Sequence, residues 1–283
     1  MDKAGVQDAF MKAGLSRVIK DLDLLAQPSI RLFTAPAKEG SLAKGASKLG
    51  GMPDLPPGFE WPQWKKLPQS FIAQIRLEDV QPYDVDKVLP PKGMLWFFYD
   101  ATQETYGDNP DDKGAWHVFF KDDNLDALQL ASAPAALPAK SRFKPCSIRF
   151  AQEITLPQQP ELIVPNFDWT DEEQQKYEDL LSTFPDQADR AKPHNRIQGN
   201  SDTLQDDMHL QSQLYSNGIT DMDDPRVEEL SKNANDWLLL LQVDSDHQAG
   251  MRWASTGMLY YWIKKEDLQA HNFEHTWLVL QSE

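Results

Sequence analysis

The sequence predicts an α+β fold: a single domain built from two tandem β-rich repeats, with mostly antiparallel sheets and peripheral helices. Three observations predict it. Short apolar or alternating segments, of strand rather than helix length, recur from Ser29 to Gln281. The stretch "SFIAQIRLEDVQPYDVDKVLPPKGMLWFFYD" (Ser70–Asp100) is echoed by "LLLLQVDSDHQAGMRWASTGMLYYWIKKEDL" (Leu238–Leu268). Each has an apolar run ending in Gln and a β-branched residue, then an acidic turn, then Gly-Met-Leu and bulky residues. Gln74 aligns with Gln242, 168 residues later, and Gly93-Met94-Leu95 with Gly257-Met258-Leu259, 164 residues later. Finally, a glycine loop precedes the echo in each half (Gly50-Gly51 and Gly199), and a strand rich in bulky residues follows it ("WHVFF" and "TWLVLQ"). The same four features twice in the same order point to an internal duplication. The approximate repeats are 28–150 and 190–283, with an acidic helical segment, 161–236, overlapping the second.

Taken in order, Val6, Phe10, Leu15, Val18, Leu22 and Leu25 recur at helical spacing and predict a helix over Gly5–Ala26, ended by Pro28. "SIRLFTAP" reads as a strand with Ile30, Leu32 and Thr34 on one face and Arg31 and Phe33 on the other. "LGGMPDLPPGFEWPQW" is too rich in Gly and Pro for a helix or central strand and reads as a rigid, extended loop whose Phe59, Trp61 and Trp64 pack onto some other part of the chain. "SFIAQIRL", "GMLWFFYD", "AWHVFF" and "SIRFAQEITLP" are strands. "TDEEQQKYEDLLSTF" opens with the Thr170–Glu173 spacing of a capping box and lines up Tyr177, Leu180, Leu181 and Phe184 on one helical face. "PHNRIQGNSDTLQDDMHLQ" reads as a polar, glycine-containing segment. A helix follows in "DDPRVEELSKNANDW", with Asp224 as N-cap and Pro225 at its first position. The strands "WLLLLQVDS" and "GMLYYWI", a helical turn in "KKEDLQAH" and the strand "HTWLVLQ" complete the chain.

With 283 residues, 40% of them hydrophobic, and nine tryptophans, the chain can bury a substantial core. It holds no apolar run of about 18 residues, and its amphipathic, acid-bearing N-terminus is unlike a signal peptide. The lone Cys146 has no partner for an internal disulfide, which accords with a cytoplasmic location, and is expected to be a packing residue. The net charge of −16 argues against nucleic acid or anionic membrane as partner. That charge is concentrated: Glu161–Glu229 holds 17 acids against five bases. A solvated surface would explain this. So would an anionic face for a basic protein, and the candidate partner-binding residues are Asp206, Asp207, Asp221, Asp223, Asp224, Glu228 and Glu229.

At "KLGGMPDLPPGFEWP", "FIAQIRLEDV", "LPPKGMLWFFYD" and "LLLLQVDSDHQAGMRWASTGMLYYWIKKEDL…FEHTWLVLQ" the chain resembles the YwqG-like family, a bacterial domain of unknown function. The matching motifs run from about Leu49 to Gln281. The resemblance implies one α+β unit with an internal repeat and supplies no established activity. Some members stand beside secreted polymorphic toxins, which implies an immunity role for those members. Where the family's second glycine loop often reads His-x-Ile-Gly-Gly-Tyr-Pro, this chain reads "HNRIQGNSDTLQDDM" (His194–Met208), without one glycine and the proline.

Motifs for chemistry are sparse. Asp244 and Asp246 lack the further oxygen ligands that Ca²⁺ wants, roughly 6–8 in all, and are expected to cap backbone amides without holding a metal. Gln74 and Gln242 end apolar strands; each could clamp the glycine loop of its own repeat, or the pair could form a ligand site at a pseudo-dyad together with Trp253. Trp61, Trp64, Trp96, Trp253 and Trp262 could line an aromatic cleft or simply fill the core. His117 reads as a half-buried strand residue, and His194 has no nucleophile-elbow companion. No phosphate-binding glycine motif occurs, and no cofactor is expected. The expectation is a non-enzymatic, cytoplasmic, immunity-type protein that neutralises a basic toxin such as a nuclease. The alternative is a small-ligand-binding module with a pseudo-symmetric cleft between the repeats; an enzyme has the least support.

Overall fold

The computed structural model describes residues 2–185 and 187–282; Asp186, one of the acids counted above, lies outside the described residues. Apolar runs become ten strands of one sheet: β1 (Gln27–Pro36), β2 (Lys48–Leu49), β3 (Ser70–Arg76), β4 (Met94–Tyr99), β5 (Trp116–Lys121), β6 (Cys146–Thr155), β7 (Asn195–Ile197), β8 (Trp237–Asp244), β9 (Gly257–Lys264) and β10 (Trp277–Ser282). Their order is β10-β9-β8-β7-β1-β6-β2-β3-β4-β5, and every pairing is antiparallel.

This order is a palindrome about the β1–β6 pair, which runs in register from Gln27 opposite Thr155 to Pro36 opposite Cys146. Outward from it lie β2–β5 on one side and β7–β10 on the other. The leading strand of each copy is exchanged: β1 borders β7, and β6 borders β2. Neither copy completes its half-sheet alone, so two repeats make one α+β domain. The pairing also moves the repeat limits expected at 28–150 and 190–283, because β6 is the counterpart of β1 and leads the second copy. Even the irregularities recur: a register shift falls between Phe71 and Ala73 in β3 and between Leu239 and Leu241 in β8.

The sheet bends until its outer strands face each other. Phe97 of β4 meets Tyr261 of β9 edge-on at 5.1 Å between ring centroids, Trp116 of β5 meets Trp277 of β10 at 5.0 Å, and the Tyr261 hydroxyl donates to the Phe98 carbonyl (3.1 Å). Inward residues of both halves, among them Ile75, Leu95, Phe97, Leu241, Leu259 and Tyr261, form one continuous core. Removing that much apolar surface from water is the dominant stabilising term.

Helices sit outside. α1 (Lys3–Lys12) packs on α2 (Asp171–Thr183), with Phe10 and Tyr177 5.9 Å apart in a second apolar cluster. Thr170 and Glu173 make the expected capping box. The single helix expected over Gly5–Ala26 is broken: Gly14, at φ +77°, terminates α1, and a 3₁₀ turn (Ser16–Asp21) and a short helical turn (Leu22–Leu25) follow. The apolar stripe still serves its purpose, since Leu15, Val18 and Leu25 remain buried. α3 (Met208–Ser216) begins in the segment that reads as polar and glycine-containing, where the sequence assigns no helix. α4 (Val227–Ser231) starts after Pro225, while Asp224 accepts the Arg226 amide (2.9 Å) in the preceding turn. α5 (Lys265–Gln269) is the expected turn before β10. Among the described residues no helix is long and apolar enough to cross a membrane.

Candidate functional site

The two glutamines hold the two glycine loops. Gln74 Oε1 accepts the Asp54 amide (2.7 Å), and its Nε2 donates to Asp54 Oδ2 (2.8 Å) and the Ala46 carbonyl (2.8 Å). Gln242 repeats the pattern with the Asp202 amide (2.9 Å), Asp202 Oδ2 (2.8 Å) and the His194 carbonyl (2.7 Å). The cation matches too: Lys48 Nζ lies 3.1 Å from Asp54, and Arg196 Nη2 lies 2.9 Å from Asp202. A β-strand aromatic closes each unit, with Trp96 Nε1–H donating to the Asp54 carbonyl and the Tyr260 hydroxyl to that of Asp202. Both glutamines are fully buried and spend both amide donors on their loops, so they have none left for a ligand.

The second clamp carries more charge. His194 Nδ1 lies 3.0 Å from Asp202, Arg196 Nε lies 3.0 Å from Glu153, and Arg31 reaches both Glu153 (3.3 Å) and Asp189 (3.2 Å). Burial alone would raise the Asp202 pKa; Arg196, His194 and Gln242 outweigh it and hold the carboxyl well below the usual carboxylate range. His194 is thus hydrogen-bonded into a buried network of charged groups.

The other sequence candidates are engaged in the core or on backbone groups. Trp253 is fully buried against Tyr99 and Phe143, its Nε1–H on the Asp244 carbonyl (3.2 Å). Trp61 packs on Phe98 in a separate cluster and Trp64 against the main core, so the five tryptophans line no common cleft. Asp244 Oδ2 accepts the His194 amide (2.8 Å). Asp246 accepts the Thr34 hydroxyl (2.6 Å) and the Gln248 amide (2.8 Å). Among the described residues no three His, Cys, Asp or Glu cluster as metal ligands. His117 Nδ1 lies 3.0 Å from Gln69 Oε1. Burial pushes the Cys146 thiol up to about 11, away from nucleophilic chemistry.

A groove of about 740 Å³ opens instead along the outer edge of β10. Gln281 builds its floor: Oε1 accepts the amides of Leu204 and Gln205 (3.0 and 3.1 Å), and Nε2 donates to the Asp206 carbonyl (2.9 Å). Asp207 caps α3 by accepting the His209 amide (2.9 Å), and α3 forms one wall. The Tyr106–Asp108 loop forms another, with Tyr106 O accepting the Leu280 amide (3.1 Å). Asp108, Glu161, Asp206 and Asp207 line it, and among the described residues no Lys or Arg does. Three large apolar side chains in its lining stay exposed: Met222 (62%), Leu162 (43%) and Tyr106 (41%).

Of the seven acids singled out by sequence, only Asp206 and Asp207 line the groove, while Asp221 and Asp223 flank Met222 in sequence. Asp224 is turned onto Arg226 (2.9 Å), Glu229 pairs with Lys232, and Glu228 is exposed. Sequence reasoning missed Asp108, Glu161, Tyr106 and Leu162. Isolated apolar residues inside polar, acidic stretches were the available signal.

No curated protein matches the chain. Residues 47–282, which hold both clamping glutamines and most of the sheet, match the family described as "Domain of unknown function (DUF1963)", and the chain belongs to that family.

Proposed function

We propose that this protein is a non-enzymatic binding protein whose acidic groove takes a basic segment of a protein partner. The observation that supports the reading is the combination in one place of four lining carboxylates, no lining Lys or Arg among the described residues, and exposed Met222, Leu162 and Tyr106. Carboxylates steer and orient a basic partner, and Met and aromatic side chains are the types enriched where partners bury surface. The resemblance to YwqG-like proteins, some of which stand beside secreted toxins, and the acidic groove together support a partner class: a basic toxin such as a nuclease, with this chain as the cytoplasmic immunity protein. A co-expression assay tests it. The product of the neighbouring reading frame is expressed with the wild-type chain, or with a variant carrying Asn or Gln at Asp108, Glu161, Asp206, Asp207, Asp221 and Asp223. Protection by wild type and its loss with a folded variant is expected; equal protection by both overturns the reading.

A further inference from the structure

On the opposite flank of α3 lies a second cleft, of about 310 Å³. His209 lines it, whereas Leu210, Gln211 and Leu214 line the groove. Its walls mix apolar residues, Leu24, Val88, Leu238 and Trp262 among them, with polar ones such as Asn200 and Asn235, and among the described residues they include no Lys or Arg.

Three features coincide there. Trp262 is 1% exposed, and its indole N–H has no acceptor among the described residues. The buried Nε2 of Gln198, another wall residue, likewise has none. Gln198 also holds a left-handed backbone at φ +62°, the conformation that Gly50 holds at φ +64° at the matching place in the first glycine loop. A glycine meets that geometry without strain, whereas a side chain does not. Buried donors are nearly always paired, and strained backbone concentrates where ligands are held. The second copy therefore keeps a strained residue in the lining of a cleft that Trp262 also lines, and each of the two carries a buried donor with no acceptor among the described residues.

We infer that this cleft is a binding site for a neutral small molecule with an apolar body and carbonyl or amide oxygens, received by Gln198 Nε2–H and Trp262 Nε1–H. The volume lies within the range of small-molecule sites. An anion would find no lysine or arginine in the wall and would meet Asp86 there. His209, its ring 4.6 Å from that of Trp262 and its Nδ1 held by Asp207 (3.1 Å), forms the side next to α3.

The test uses nitrogen-15-labelled full-length protein, with two probes, N-acetyl-leucine N-methylamide and cyclohexanone. Substitution identifies the Trp262 indole and Gln198 side-chain resonances. Either probe is expected to shift both resonances saturably. Gln198→Gly, read at Trp262, and Trp262→Phe, read at Gln198, are each expected to weaken binding about tenfold, the effect of one lost hydrogen bond. Gln198→Gly relieves the backbone and folds at least as well as wild type, so its loss of binding is not a folding defect. The inference is overturned if neither probe shifts these resonances up to its solubility limit, as for donors that are merely hydrated. It is equally overturned if both variants bind as tightly as wild type.

Discussion

Gln74 and Gln242 show how much one buried amide can organise. Each pairs with a backbone amide, a carbonyl and a carboxylate of its loop, so a leucine of similar size would strand several buried groups at once. Gln74→Leu and Gln242→Leu are each expected to lower stability by about 3 kcal/mol, from at least one unsatisfied buried group at ~1–3 kcal/mol plus the lost bonds. Urea unfolding with an unchanged slope reads this directly; a loss under about 1 kcal/mol would mean that the loops hold themselves. Cys146 gives a second expectation at this scale. Its buried thiol, pushed up to about 11, should resist iodoacetamide at pH 8 in the folded protein and react on unfolding; rapid labelling of the native state would contradict the geometry. The sequence made the clamp legible as one of two readings. It could not show whether the donors turned inward or toward a ligand, because that depends on how the glycine loop, whose bonded groups lie 20–28 positions before Gln74 and 40–48 before Gln242, is laid down.

Among the elements, the exchanged strands set the strictest tolerance. At Gly199, φ +75°, a Cβ would lie 2.6 Å from both Ser29 Cβ of β1 and Thr155 Oγ1 of β6. Gly199→Ala therefore combines backbone strain with a clash at the β1–β6–β7 junction and is expected to lose more than about 2 kcal/mol. Gly218→Ala, at φ +76° with nothing within 4 Å, carries the strain alone and is expected to lose about 1 kcal/mol. Equal losses in thermal unfolding would show that the packing at Gly199 is slack. The strands themselves were legible because alternation and apolar runs are local signals. The exchange of β1 and β6 was not, since periodicity says which face of a strand is buried and not which strand lies beside it. α3 escaped notice for a related reason: its buried face includes Ser212 and Gln213, the latter accepting the Trp237 indole N–H (2.8 Å), so no apolar stripe marks it. The Gly5–Ala26 stripe misled in the opposite sense, because a helical repeat of apolar residues can be met by a helix, a glycine break and a 3₁₀ turn packing on the same neighbours.

Over the whole molecule, charge is divided between a buried network and an exposed groove. The buried part has a definite pH dependence. Because the folded Asp202 carboxyl is held below its ordinary value, its contribution is present above about pH 4, the unfolded carboxylate range, and is lost as pH falls through the folded value. Asp202→Asn should thus be less stable at neutral pH and lose less stability on acidification than wild type; parallel pH curves would contradict this sign. The groove was half legible. Acid clustering located one wall, but Tyr106–Asp108, Glu161–Leu162 and Val279–Gln281 join it only when the bent sheet brings distant segments together. Whether the groove steers and holds a basic protein, as proposed, is read from the association rate with the neighbouring gene's product, measured against salt. Steering predicts a rate that is ~10–10³-fold higher at low salt, falls as the Debye length shrinks below ~10 Å, and loses most of its salt dependence when Asp108, Glu161, Asp206, Asp207, Asp221 and Asp223 are replaced by Asn or Gln. A folded variant that associates at the wild-type rate with the same salt dependence would contradict the claim and leave the acids as a solvated surface.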